Sequence, residues 1–182
     1  DSFVTSLILD NMSGYSGVLP SDEDLPSNWS MSKISEVTSV NGNYTYPEDE
    51  FPEKEFNYIS VSEVDGGTGQ IVDSQQLLGK ECSTRARRKI SEDDVILSTV
   101  RPYLKAFALV PQEYDGAIAS TAFAVLTAEN NIEPEYLYRA VRSPLFVNQL
   151  KSKQKGASYP EVRLSEVKES VIPVPPKEKQ ME

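Results

Sequence analysis

Histidine is absent from the chain, and cysteine occurs once, at Cys82. The first absence excludes Ser-His-Asp and Cys-His nucleophilic catalysis and every zinc site that needs an imidazole. The second leaves no internal disulfide, so a reducing compartment, the cytoplasm, is expected. Cys82 itself has no imidazole to activate it and reads as a small packing residue or a surface thiol. No apolar run approaches the ~20 residues that cross a bilayer, so no membrane association is expected. The start at Asp1 has neither an initiator Met nor a basic-then-apolar leader, and an excised fragment or processed product is expected.

Catalytic signatures are missing too. There is no Asn/Asp-Pro-Pro-aromatic loop with a Gly-rich cofactor strand, so the chain is not expected to methylate by itself or to need a cofactor. The Asp65-Gly66-Gly67-Thr68-Gly69-Gln70 loop lets backbone amides approach a phosphate, but it lacks the Gly-Lys-Ser/Thr ending of a P-loop and reads more simply as a turn. Glu161, Glu166 and Lys168 are too closely spaced for a magnesium nuclease. Ser30 to Lys33 and Ser152 to Lys155 fit a Ser-x-x-Lys spacing without the companion motifs of Ser-Lys acyl enzymes.

What is present is a chain of 182 residues, enough for one domain with a real core. The net charge of -10 argues against a nucleic-acid partner when taken as an average. The distribution reverses that argument. Residues 1–80 hold three Lys/Arg and fourteen Asp/Glu, a net of −11, whereas residues 81–182 hold fifteen and fourteen, a net of +1. Between Arg139 and Arg163 six basic residues face one acid, Glu161, so a local basic face is available, and phosphate contact needs only that.

Residues 1–12 carry Phe3, Leu7, Ile8 and Met12 at helical spacing, which fits either a short amphipathic helix or a detached tail, and Asp22-Glu23-Asp24 marks a solvated linker. Trp29 is expected to anchor the core, and Asn43 to Glu55 to form a surface loop. Phe56–Val61 alternates as a strand. Val95–Val100, Ala106–Val110 and Ala117–Leu126 are β-rich apolar runs separated by Arg101-Pro102 and Tyr114-Asp115-Gly116, which predicts consecutive strands of a half-buried sheet. Glu133-Pro134-Glu135 opens a helix, and Ser143-Pro144 breaks it and opens a second. With Ser170–Val174 as the last strand, the fold class is α+β: a twisted, mostly antiparallel sheet flanked by helices.

Three groups could touch nucleic acid. Arg85, Arg87, Arg88 and Lys89 suit phosphates or bidentate pairing with guanine, or they simply neutralise the nearby acids. Arg101 heads a tight turn beside Tyr103 and Lys105, offering a cation and a stacking ring. Lys151, Lys153, Lys155, Ser158, Tyr159 and Arg163 form the third group, whose plainer reading is a solvated helix end with Lys at its negative pole.

In order along the chain, Leu25-Pro26-Ser27-Asn28-Trp29, Asp94-Val95-Ile96-Leu97-Ser98, the Arg101 turn, Ala119-Ser120-Thr121-Ala122-Phe123-Ala124-Val125-Leu126, Glu135-Tyr136-Leu137-Tyr138 and Ile172-Pro173-Val174-Pro175-Pro176-Lys177-Glu178-Lys179-Gln180 resemble the target-recognition domain of type I restriction-modification specificity subunits. The resemblance covers about residues 25–182. It implies a DNA methylase specificity domain-like fold that reads one half of a bipartite site in double-stranded DNA. It also implies binding without catalysis, leaving chemistry to partner methyltransferase (modification) and endonuclease (restriction) subunits. It tips the Arg101 turn and the Gly156-Ala157-Ser158 region towards DNA. Residues 1–24 would then be an N-terminal helix and linker, 25–176 the recognition domain, and 177–182 the start of a spacer helix. That helix leads to a second recognition domain in the same subunit or to a homodimer. Two other readings stay open: the C-terminal module of an adenine methyltransferase or restriction-methylase fusion, and a protein-interaction module. Dispersed rather than convergent cations would favour the last.

Overall fold

The structure, a computed structural model, describes residues 19, 21, 25–129, 131–156 and 158–180. The helix expected over residues 1–12 and the linker at 22–24 lie outside the described residues.

Among the described residues the strands make two four-stranded sheets and two two-stranded ribbons. The first sheet joins β2 (Thr38–Val40), β8 (Val95–Ser98), β9 (Phe107–Leu109) and β11 (Phe123–Ala128) in the order β2-β11-β8-β9, antiparallel throughout. The second joins β3 (Glu55–Ile59), β6 (Gln75–Leu78), β7 (Ala86–Lys89) and β10 (Ile118–Ser120) in the order β6-β3-β10-β7, with β3 and β10 parallel. One ribbon pairs β1 (Ser30–Lys33) with β12 (Val171–Val174), and the other pairs β4 (Val64–Asp65) with β5 (Gln70–Ile71). The α+β class and the mainly antiparallel pairing are as the sequence predicts. The strands expected in one sheet are shared between several. The Ala117–Leu126 run divides at Thr121-Ala122, sending β10 to one sheet and β11 to the other.

The apolar run around β8 is also covered on both faces rather than half-buried. Side chains alternate across a strand. Val95, Leu97, Ala124, Leu126 and Phe107 pack under the helices, while Ile96, Phe123, Val125, Ala106 and Ala108 pack against Ile59 and Ala119 of the second sheet. A strand sandwiched between two apolar layers reads as an unbroken Val-Ile-Leu run, and that removes the alternation by which faces are told apart.

Six helices accompany the sheets among the described residues. α1 (Ile34–Val37) buries Ile34 and Val37, and α2 (Pro47–Glu50) lies inside the expected loop. α3 (Pro134–Arg142) begins with Pro at its first turn, where the missing N–H costs nothing. Ser143 ends it and caps α4 (Pro144–Lys153), its hydroxyl accepting from the Phe146 N–H at 3.4 Å. α5 (Leu164–Lys168) precedes β12, and α6 (Lys177–Gln180) follows it.

The start of α6 is seated on the domain. Gln180 is fully buried: its Oε1 accepts from the Glu133 N–H at 2.7 Å, and its Nε2 donates to the Asn131 and Pro175 carbonyls at 2.8 and 3.0 Å. Arg139 donates to the Gln180 carbonyl at 2.8 Å, and Lys177 pairs with Glu133 at 2.9 Å.

Candidate nucleic-acid interface

The register of the two sheets brings several of the candidate residues to one end of the molecule. Ser98 lies opposite Phe123, and the Thr99 N–H and hydroxyl both donate to the Ala122 carbonyl, at 2.8 and 2.9 Å. One residue earlier, Thr121 donates to the Arg85 carbonyl at 2.9 Å. Because β3 runs parallel to β10, with Ile59 beside Ala119, Ser60–Ser62 leave the sheet at that same end. Arg101 donates its N–H to the Pro160 carbonyl at 2.7 Å, and Val162 donates to Thr99 at 2.9 Å. One end therefore gathers Arg85, the 99–105 turn and the 158–162 segment.

Arg101 sits at φ 47° and Lys105 at φ 55°, flanking the short 3-10 turn Pro102–Leu104. Two non-glycine residues in the left-handed region cost on the order of 1–3 kcal/mol each, so the surrounding contacts must hold them. Arg101 donates through Nη2 to the Ser158 carbonyl at 3.2 Å, and its guanidinium lies 4.6 Å from the centre of the Tyr159 ring. Its Nε is buried and makes no hydrogen bond. Lys155 and Glu161 exchange backbone hydrogen bonds at 2.8 and 2.9 Å and close the loop that presents Ser158 and Tyr159. Tyr103 and Lys155 are exposed, and Lys105 is half-buried.

A second set of contacts locks this turn from behind. Arg142, at the end of α3, donates through Nη1 to the Lys105 and Phe107 carbonyls at 2.9 and 3.1 Å, and through Nη2 to the Gly66 and Gly67 carbonyls at 3.0 and 3.1 Å. One planar fork thereby joins two loops. A Cβ on Gly66 would lie 1.9 Å from the Leu104 carbonyl oxygen, so glycine there permits the close approach. The Thr68 N–H and then its hydroxyl hold the Asp65 carboxyl below the usual carboxylate range and keep the loop closed. The glycine loop is thus a turn whose Gly66 and Gly67 carbonyls are taken by Arg142. Arg142 was not singled out in the sequence; its place at the end of an amphipathic helix gives no hint of a four-carbonyl clamp.

The Arg85–Lys89 cluster is divided by strand geometry. Arg87 is 5% exposed and forms a two-pronged pair with Glu48, one arm at 3.0 Å, while also donating to the Ala86 carbonyl at 2.8 Å. Its guanidinium lies over Tyr46 at 4.9 Å. The Glu48 carboxyl is held below its ordinary value, first by its own backbone N–H and then by Arg87. Arg87 thus fastens α2 to the sheet. Arg88 is half-buried and lies 5.3 Å from the centre of the exposed Tyr44 ring, which meets Tyr46 edge-on at 5.2 Å. Arg85 and Lys89 are exposed, but Lys89 pairs with Ile118, away from the end where Arg85 meets Thr121. Tyr44 and Tyr46 were missed in the sequence because they lie in a Pro- and acid-rich stretch that has the composition of a loop.

In the third group, Lys151 is exposed on the last turns of α4, and Lys153 donates to the Ser170 hydroxyl at 3.2 Å. Exposed Arg163 precedes α5, its N–H donating to Glu166 at 2.8 Å. Among the described residues no group of three or more Cys, Asp or Glu side chains is placed to hold a metal ion, and no helix is long and apolar enough to cross a membrane.

The fold that carries this end face is similar to that of solved structures. The chain is 40% identical to the HsdS subunit from Thermoanaerobacter tengcongensis, with a TM-score of 0.78 over 86% of this chain and 40% of that one. It is 38% identical, with a TM-score of 0.80 and the same shares, to a chain from a structure addressing complex assembly and conformational transition of the type I R-M system. A type I restriction-modification S subunit from M. genitalium shares the fold at 14% identity, a TM-score of 0.51, and shares of 82% and 35%. The chain spans about 40% of the length of the first two. No curated protein matches it. Residues 26–182 match the type I restriction modification DNA specificity domain, and the chain belongs to that family.

Proposed function

We propose that this chain is a target-recognition domain that reads one half of a bipartite DNA sequence and directs partner methyltransferase and endonuclease subunits to it. The observation that carries the reading is the convergence of Arg85, Arg101, Lys155, Ser158 and Tyr159 at one end of the two sheets. A protein-interaction module would not require its cations to gather in this way. Arg85 and Lys155 are suited to phosphates, Arg101 and Tyr103 to base edges or phosphates, and Tyr159 to stacking or sugar contact. Arg88 with Tyr44, and Lys89, Lys151, Lys153 and Arg163 outside that convergent group, are further candidates for contact with the DNA backbone. Arg87, committed to Glu48, leaves the contact set.

The recognition domain spans residues 25–176, and residues 177–182 begin the element that leads away from it, towards a second recognition domain or a second copy. The domain binds and positions DNA in the cytoplasm and leaves methyl transfer and cleavage to its partners.

The test is selection from a randomised duplex pool at ~50 and ~200 mM salt, with Arg101→Ala and a Lys151/Lys153/Lys155→Ala triple variant alongside. An enriched short sequence, weakened by salt and by both variants, is the expected result. No DNA binding, even with the chain in its longer parent and with the methyltransferase partner present, overturns the reading.

A further inference from the structure

Beside the Arg101 turn lies a cleft of about 560 Å³ between the 61–67 segment and residues 100–106. Its walls are Val61, Val64, Val100, Leu104 and Ala106, and Tyr159 stands at its edge. No carboxylate lines it in a chain of net charge -10; its one charged lining group is the Arg101 cation. Leu104 is 54% exposed and Tyr159 70% exposed, although one face of the Tyr159 ring is covered by Arg101. The walls are held in place before anything binds. Gly66 meets the Leu104 carbonyl with no room for a side chain, and the Arg142 fork ties Gly66 and Gly67 to Lys105 and Phe107.

An apolar surface bounded by a cation suits a ligand that is anionic outside and presents an apolar group within reach. In the major groove of a duplex only one group answers that description, the 5-methyl of thymine, because the other base edges there are donors and acceptors. We infer that this cleft, resting on the recognition function proposed above, selects an A·T pair in the half-site by receiving the thymine methyl against Leu104, Val100 and Val64. Arg101 is left to hold the adjacent phosphate or base edge. A guanine or cytosine edge at that position would place polar atoms against the aliphatic wall with no partner.

The test uses the full-length protein and the half-site selected from the random pool, with each thymine replaced in turn by deoxyuridine. At one or two positions the loss of the methyl weakens binding about fourfold, the value of one buried carbon. At the same position 5-methylcytosine binds more tightly than cytosine. Leu104→Gln, a change at an exposed side chain, brings the thymine-to-uracil ratio close to one while leaving the salt dependence unchanged. An enriched half-site with no thymine, or one whose thymines are all indifferent to uracil, overturns this inference and leaves the recognition function standing. So does a Leu104→Gln protein that still discriminates. Failure to enrich any sequence overturns both.

Discussion

Arg87 and Asp94 show how far a charge can be read without its surroundings. In the sequence Arg87 is one of four cations in five positions, indistinguishable from its neighbours. In the strand it is the one bonded to Glu48 on both arms. Arg87→Met is therefore expected to lower the urea midpoint of unfolding well beyond Arg85→Ala, which stays within ~0.5 kcal/mol of the parent. Asp94 is 2% exposed and accepts from the Ser91 N–H at 2.8 Å and the Thr127 hydroxyl at 2.6 Å. Burial nevertheless pushes its carboxyl above the ordinary aspartate value, and Asp115 and Asp93 add to the push. A raised native value means the folded state prefers the proton. The contribution to stability is thus full below pH ~3.9 and is lost as pH rises through the folded value. Asp94→Asn is expected to stabilise at neutral pH, with the gain vanishing as acid protonates the parent; denaturant titrations at pH 4 and pH 7 check the sign. Cys82 is buried, and its thiol is pushed up by that burial, so alkylation of the native protein at pH 8 is expected to be slow and to accelerate on unfolding.

At the scale of elements, the strongest signals were those with a local cause. Pro134 and Pro144 at helix starts and the break at Ser143-Pro144 fall where the sequence places them, because each acts on its own backbone neighbours. Strand identity was legible around β8, β9 and β11; strand partnership was not. Nothing in Ala117–Leu126 marks Thr121-Ala122 as the crossing from one sheet to another, since both halves are equally apolar. β6 and β7 were invisible because Gln75-Gln76 and Arg87-Arg88 are polar at positions where a strand reader expects alternation. The glycine loop was read correctly as a turn, but its role as the back wall of the Arg101 turn needs the Leu104 carbonyl in view. Gly66→Ala is expected to cost about 1–3 kcal/mol through overpacking. It should also abolish sequence preference while a cooperative unfolding transition and salt-sensitive weak DNA binding remain. Equal loss of specific and non-specific binding would contradict the placement of that loop beneath the interface.

For the whole molecule, the net charge of -10 sets the conditions under which recognition operates. Repulsion at a distance and attraction at one end favour approach in a single orientation and keep non-specific affinity low. With about three phosphates neutralised by Arg85, Arg101 and Lys155, affinity should fall about 40-fold between 50 and 200 mM salt. A titration giving no salt dependence would contradict that contact set. The seat of Gln180 matters at the same scale. Where a longer parent continues α6, those buried hydrogen bonds set the aim of a lever whose far end lies outside the domain. Twenty further helical residues would extend it by ~30 Å, so a tilt of ~10° at the seat displaces the tip by ~5 Å, more than one base-pair step. One buried amide would thereby help set how many base pairs separate the two halves of a recognised site.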